Sequence, residues 1–230
     1  VEKHRLEMKT ECTIRSAFFS GKRRYAQYIT KKEGVPCNEI DVKGLDFMKS
    51  DFPPLFKEFF ENILNKILFG GTREEIDKQI LDFKNSLNTL PFEKISKPTG
   101  VKRIQKYTAR GPSADEIFSE FENKAPVGVK AAVRYNDLLK FKGLDKKHTQ
   151  IVEGDKIKWV YLKQNPFGLD AVAFNGYNDP KEIMDIVTTY IDYDKIFERE
   201  LLKKLEDFYG ALGWGEVLSS TKTAEKFFSF

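Results

Sequence analysis

Gly21-Lys22-Arg23-Arg24-Tyr25 sets three consecutive cations against an aromatic ring, and Lys49 follows within the stretch from Lys43-Gly44-Leu45-Asp46 to Lys49-Ser50-Asp51-Phe52-Pro53. On a segment that reads as a strand, such fixed positive charge suits a polyanion backbone, because each phosphate it neutralises releases condensed counterions. A second reading stays open, a sheet edge decorated with charge to keep strands of different molecules apart. Other reactive residue types do not assemble a centre. Cys12 and Cys37 lack metal-ligand spacing, and with His4 and His148 as the two histidines no zinc constellation can be built. Asp192-Tyr193-Asp194 has a spacing that suits two metal-binding carboxylates. On the helix expected there, residues i and i+2 point in different directions, so the pair reads as solvent-facing charge beside Lys195 and Arg199. His148, in Asp145-Lys146-Lys147-His148, reads as an exposed loop residue rather than a base. No catalytic residue and no metal ligand is assigned.

The composition sets the frame for these residues. A chain of 230 residues with 40% hydrophobic content can bury one good core or two small ones. Lys and Arg total 39 against 35 Asp and Glu, so the net charge of +4 does not by itself call for nucleic acid, and only local clustering can. The two thiols read as reduced and cytoplasmic. The longest apolar runs are too short to cross a bilayer and no signal pattern opens the chain, so no membrane partner is expected. Val1 is not an initiator Met, which fits a processed product or a piece of something longer.

The elements that must carry the cations follow from periodicity. Residues 8–30 hold strand-like segments, and Gly34, Pro36 and Asn38 mark a turn or loop. From Pro53 the period changes: Leu55, Phe56, Phe59, Phe60, Ile63, Leu64, Ile67 and Leu68 predict a helix over 53–69, ended by Gly70-Gly71. Thr72 and Glu75 form a capping box for a second helix over 72–89, antiparallel to the first. Residues 91–126 read as loops with short elements, including a helical turn around Asp115 to Phe121. Here Lys97, Lys102, Arg103, Lys106, Tyr107 and Arg110 are interleaved with turn formers, as in a clamp on duplex phosphates or in a merely solvated loop. A helix is expected from Val127 to Phe141, then a β-hairpin through Ile157-Lys158-Trp159 and Ala171 to Phe174, then one long helix from Pro180 to Tyr209. No internal repeat is visible.

Lys22-Arg23-Arg24-Tyr25 resembles the Lys-Lys-Arg-Tyr motif of family B DNA polymerases, in particular the T-even bacteriophage branch. Lys43-Gly44-Leu45-Asp46 with Lys49-Ser50 and Pro53 is similar to that family's passage from palm into thumb. Arg134-Tyr135-Asn136, Gly154-Asp155-Lys156-Ile157 and Asn165-Pro166-Phe167-Gly168 resemble the phage-type thumb in the same order and at similar spacing. Together these matches cover most of the chain. The fold implied is α+β: residues 1–44 as the end of the palm's antiparallel sheet, 45–218 as a mainly helical thumb with a small β-hairpin, and 219–230 as a clamp-binding tail.

The resemblance also implies a role. Lys22, Arg23, Arg24, Tyr25 and Lys49 would lie along the newly made primer-template duplex, with Lys22 and Arg24 on phosphates, Arg23 and Lys49 at the minor groove and Tyr25 near the primer end. Arg23 stands where the family usually has Lys, which preserves charge and changes donor geometry. Lys102, Arg103 and Lys106 would add phosphate contacts that position the duplex without reading its sequence. Phe227, Phe228 and Phe230 resemble the paired aromatics that plug a pocket on a sliding clamp, although Thr221 and Ala224 replace the usual Gln and aliphatic anchor. The family's Tyr-x-Asp-Thr-Asp-Ser turn, which carries one of the pair of aspartates that hold two Mg²⁺ ions, does not occur in this sequence. This segment is therefore expected to bind no cofactor and to be inactive alone. Mg²⁺ and an N-terminal catalytic part would complete it, whether from a longer chain or from a split gene, in the cytoplasm of an infected bacterial host. A second expectation is a non-catalytic duplex-binding or clamp-interacting accessory protein with a polymerase-derived fold.

Overall fold

The computed structural model of the chain describes residues 9–217. It is α+β, with three small antiparallel sheets and a series of helices, divided into two compact units. Among the described residues, one unit comprises 9–49, 57–83 and 202–217, and the other 50–56 and 84–201.

The first unit is built on β1 (Cys12–Gly21), β2 (Arg24–Lys32) and β3 (Val35–Lys43), ordered β1-β2-β3 and paired antiparallel. Phe18 on β1 packs on Phe208, which also meets Phe60 and Phe47, and Phe47 stacks on Phe60 at 5.4 Å between centroids. All four rings are buried. Each buries enough apolar surface to contribute about 2–3 kcal/mol, and the offset and edge contacts add about 0.5–1.5 kcal/mol per pair. Two helices supply part of this core, α1 (Pro54–Leu68) and α2 (Arg73–Ser86). The expected capping box is formed: Glu75 N–H donates to Thr72 Oγ1 at 3.3 Å and Thr72 N–H to Glu75 Oε2 at 3.1 Å. Phe59, early in α1, stacks on Phe83, late in α2, as the antiparallel arrangement requires. Tyr209 on α8 (Lys203–Leu212) is fully buried and donates its hydroxyl to Asp77, which also faces Arg73 at 3.4 Å.

Gly34 lies in the β2–β3 turn as expected, but Pro36 and Asn38 do not extend it, because β3 begins at Val35. Pro36 sits opposite Lys31, next to a register shift between Ile29 and Lys31. β3 is an outer strand, where a residue without an N–H is tolerated. Asn38 accepts a bond from the Tyr28 hydroxyl at 2.9 Å.

The second unit centres on a sheet ordered β4-β7-β8, with α5 (Val127–Phe141) packed on β8. β7 (Lys156–Tyr161) and β8 (Ala171–Phe174) are the expected hairpin. β4 (Lys97–Gly100) pairs antiparallel with β7 and was not foreseen, since Lys-Pro-Thr-Gly shows no alternation. A Cβ on Gly128 would lie 3.0 Å from Thr99 and 3.1 Å from Trp159 Nε1, so a side chain at the start of α5 would require these neighbours to give by a few tenths of an ångström. Short helices α3 (Phe92–Ile95) and α4 (Ile104–Tyr107) flank β4.

Two further expectations are corrected. Asp115 to Phe121 is not helical. Glu120–Phe121 forms β6 opposite β5 (Thr108–Arg110), and the Glu116 carboxylate is held by Ser113 and Arg110. Nor does one helix run from Pro180 to Tyr209. α6 (Lys181–Tyr190) stops because Ile191 bridges to Leu162 and Asp192 N–H donates to Tyr161 O at 2.9 Å, committing the backbone to sheet-like bonding. Asp192 then caps α7 (Tyr193–Ile196) by accepting from Lys195 N–H, a wider π-helical turn spans Phe197–Leu202, and α8 follows.

The residues that resemble thumb motifs organise backbone. Asn136 exchanges two bonds with Ile151, at 2.7 and 2.8 Å. Tyr135 is buried and meets Asn175. Asn165 bridges Lys163, Phe167 and Leu169 around the Asn-Pro-Phe-Gly turn. Gly154 and Asp155 exchange backbone bonds with Val101 at the entrance to β7.

Candidate nucleic-acid interface

The cation cluster caps a hairpin rather than running along a strand. Gly21 pairs with Arg24, and the chain turns through Lys22 and Arg23 between them. Arg23 takes a left-handed conformation, φ 63°, at a cost of roughly 1–2 kcal/mol for a residue with a Cβ. Lys22 and Arg23 are exposed, and among the described residues neither has a carboxylate partner. The tip is braced from one side. Gly44, φ 70°, lies so close that a Cβ there would be 2.2 Å from the Arg23 carbonyl oxygen.

Behind the tip the charges are matched. Arg24 reaches Asp46 at 3.3 Å and Asp207 at 3.2 Å, while Lys49 Nζ lies 2.7 Å from Asp46. The hydrogen bond from Lys49 is the main cause that holds the Asp46 carboxyl below its ordinary value. Partial burial opposes this, and the charges of Lys49, Arg24 and Lys204 reinforce it. Two cations at the tip are thus free, and two behind it are balanced by two carboxylates. Tyr25 is half-buried, its ring 5.9 Å from the exposed Phe19 ring and 5.9 Å from Lys43 Nζ. A bond with Tyr25, more than the neighbouring Asp41, raises the Lys43 ammonium above its usual value. Sequence reasoning missed Lys43 and Phe19 as members of this surface. The register that sets Lys43 opposite Tyr25 comes from strand pairing, which the motif did not contain.

In the second unit the predicted basic stretch divides in the same way. Lys97 is spent on the buried Glu200 at 3.1 Å, and Arg110 on Glu116 and Glu120 at 2.8 and 2.9 Å. Lys102, Arg103 and Lys106 are exposed and have no carboxylate partner among the described residues. Lys106 lies over the Tyr107 ring, and Lys102, Arg103 and Tyr107 help to line a groove of about 500 Å³ whose other wall includes Trp159. Asp192 is a helix cap, and no group of three His, Cys, Asp or Glu among the described residues is placed to hold a metal ion. His148 is half-buried rather than exposed, its Nδ1 2.9 Å from Asn178 O, and Cys12 and Cys37 are free thiols. Phe227, Phe228, Phe230 and His4 lie outside the described residues.

A family profile described as DNA polymerase family B matches residues 2–210, nearly the whole chain. The chain belongs to DNA polymerase family B. Among its relatives, the DNA-directed DNA polymerase of Enterobacteria phage T4 is 25% identical over 192 residues, 82% of this chain and 20% of that enzyme. That of Escherichia phage RB69 is 27% identical over 198 residues, 84% of this chain and 21% of the relative. The DNA polymerase alpha catalytic subunit of Arabidopsis thaliana is 38% identical over 60 residues, 26% of this chain and 4% of the plant protein. The family B chain thus spans about a fifth of the length of the phage relatives it matches. No helix among its described residues is long and apolar enough to cross a membrane.

Proposed function

We propose that this chain is the palm-terminal and thumb portion of a phage-type family B DNA polymerase and that it grips primer-template duplex during template-directed synthesis. The observation that carries the reading is the hairpin tip. Lys22 and Arg23 stand without carboxylate partners, while Asp46 and Asp207 neutralise Arg24 and Asp46 also holds Lys49 behind them. At this hairpin, charge is left unbalanced at the exposed turn and balanced behind it, the pattern expected of a surface that exchanges counterions for phosphates. Lys22 and Arg23 make the primary contacts in this reading, Arg24 and Lys49 hold the tip and can share its phosphates, and Tyr25 packs beside them. Lys102, Arg103 and Lys106 are read, within their own unit, as a further set of phosphate contacts. Contacts of this kind fix register and orientation without specifying sequence, as a replicative enzyme needs. The complete polymerase would join deoxynucleoside triphosphates to a primer with Mg²⁺ held by an N-terminal catalytic part. This segment alone would be inactive. Phe227, Phe228 and Phe230 would dock on a sliding clamp.

The test is binding of the full chain to several duplexes of unrelated sequence across a salt series. Affinities that agree between sequences and fall steeply with salt support the reading. Affinities that are independent of salt, or strongly selective for one sequence, refute it.

A further inference from the structure

A second basic cavity in the second unit shares Val127 and Tyr161 with the groove beside Lys102 and Arg103 and has cations of its own. It measures about 400 Å³ and is lined by Lys130, Arg134, Lys195 and Arg199, with Asp170 as the carboxylate in its wall. Lys130 and Lys195 face it with Arg134, whose charge Asp137 meets from behind at 3.4 Å, in a concavity within the size range of small-molecule sites, about 300–1,000 Å³.

Lys130, Arg134 and Lys195 each lie over an aromatic ring. Phe121 lies beneath Lys130 at 5.7 Å and Arg134 at 4.6 Å, Phe118 also faces Arg134 at 4.9 Å, and Tyr161 lies under Lys195 at 5.2 Å. Neither Lys130 nor Lys195 has a carboxylate partner among the described residues. Arg134 is fixed through one nitrogen: Nη1 donates to Ser119 O at 2.8 Å and lies 3.4 Å from the buried Asp137. Asp137 is itself occupied by the Ser119 N–H and hydroxyl, both at 2.9 Å. Arg134 Nη2 and Nε have no acceptor among the described residues, so a guanidinium with five donors keeps part of its fork free. Burial is the main cause that lowers the Arg134 value, as expected of a charge whose partners do not fully compensate it.

We infer that this cavity binds a single nucleotide, its phosphate received by Lys130, Arg134 and Lys195 and its base or sugar resting against the Phe121 and Tyr161 side of the wall. A phosphate offers several anionic oxygens to convergent donors, and aromatic faces accept any base because every base has a π-face. The phosphate ester can come from a free mononucleotide or from an unpaired residue of a DNA strand. The inference does not rest on the duplex reading, whose cations are different residues.

The full chain is titrated by calorimetry with thymidine 5′-monophosphate, thymidine, inorganic phosphate and a single-stranded oligothymidylate. The expected order is monophosphate tighter than inorganic phosphate by roughly tenfold, from stacking, with no detectable binding of thymidine. Lys130→Gln combined with Lys195→Gln keeps much of each stem on its ring and removes both charges. It is expected to weaken the monophosphate by at least about tenfold. Lys22→Ala with Arg23→Ala is expected to leave monophosphate binding unchanged, which separates this site from the hairpin surface. A gain in affinity for the oligothymidylate that the Gln pair abolishes identifies the strand as the source, and equal affinities identify the free nucleotide. A monophosphate no tighter than inorganic phosphate, or an affinity the Gln pair does not change, overturns the inference.

Discussion

Gly44→Ala tests whether the basic tip is held in place by a backbone contact. Gly44 has φ 70°, and a Cβ there would sit 2.2 Å from Arg23 O and 3.2 Å from the Arg23 carbonyl carbon. Both atoms are backbone, so no flexible side chain can swing away, and the Arg23 carbonyl has to retreat by about 1 Å to reach ordinary contact. The left-handed conformation costs about 1–2 kcal/mol for a residue with a Cβ, and the forced displacement about 1–3 kcal/mol more. A destabilisation of about 2–5 kcal/mol is expected from urea unfolding. Gly34→Ala is the matched control. It has φ 82° in the neighbouring turn, but a Cβ there meets nothing within 4 Å, so only the conformational cost of about 1–2 kcal/mol applies. Duplex affinity, measured at a fixed salt concentration where both variants are folded, should fall for Gly44→Ala and stay unchanged for Gly34→Ala. Equal unfolding costs for the two variants, or an unaltered duplex affinity for Gly44→Ala, would refute the bracing role.

Further outcomes follow from single interactions. Tyr209→Phe removes the hydroxyl donor to Asp77, leaving that buried carboxylate with Arg73, and should cost about 1–3 kcal/mol in urea unfolding. Burial, then the Asp77 contact, raises the Tyr209 phenol above its ordinary value of 10.0, so its contribution is whole below pH 10 and declines above it. The stability of Tyr209→Phe should fall less steeply with pH in that alkaline range. Glu116 is lowered from 4.5 to about 2, chiefly by the bond from Arg110 and then by Ser113. Its stabilisation is therefore present above pH 4.5 and lost as pH falls towards 2. A carboxyl NMR titration should place its midpoint well below that of an exposed glutamate, and Arg110→Ala should return it towards 4.5. Removing residues 227–230 should abolish capture by a sliding clamp and leave duplex affinity unchanged, as read by surface-immobilised clamp binding.

What the sequence revealed and what it hid follow a physical line. α1, α2 and α5 were legible because their burial repeats every three or four residues, and the Thr72–Glu75 box because both partners are local. β3 and β4 were obscured by Pro36 and Pro98, which read as breakers until strand neighbours are known. The stop at Ile191 comes from a bridge to Leu162, and no local residue announces it. At the site the cations were visible as a run, but their division was not. Arg24 is balanced partly by Asp207, 183 residues further along, so which cations remain free is a tertiary fact. Tyr135, Asn136 and Asn165 resemble family motifs in the sequence, and the structure gives them their reasons as a buried hydroxyl and two backbone brackets. Lys130 and Lys195 left no signal, since their meeting with Arg134 depends on how α5 and the 193–196 turn are placed within their unit.

The most direct test of the proposed grip is the slope of log affinity against log salt for duplex DNA, compared between the wild-type chain, Lys22→Ala with Arg23→Ala, and Arg24→Ala. Each phosphate contact contributes a slope of about −0.9, so loss of the two free cations should flatten the dependence by about 1.8, with no change in relative affinity between sequences. Arg24→Ala, whose charge Asp46 and Asp207 already balance, should flatten it by less than one such contact. A slope that stays the same when Lys22 and Arg23 are both removed would contradict the placement of duplex DNA at this hairpin.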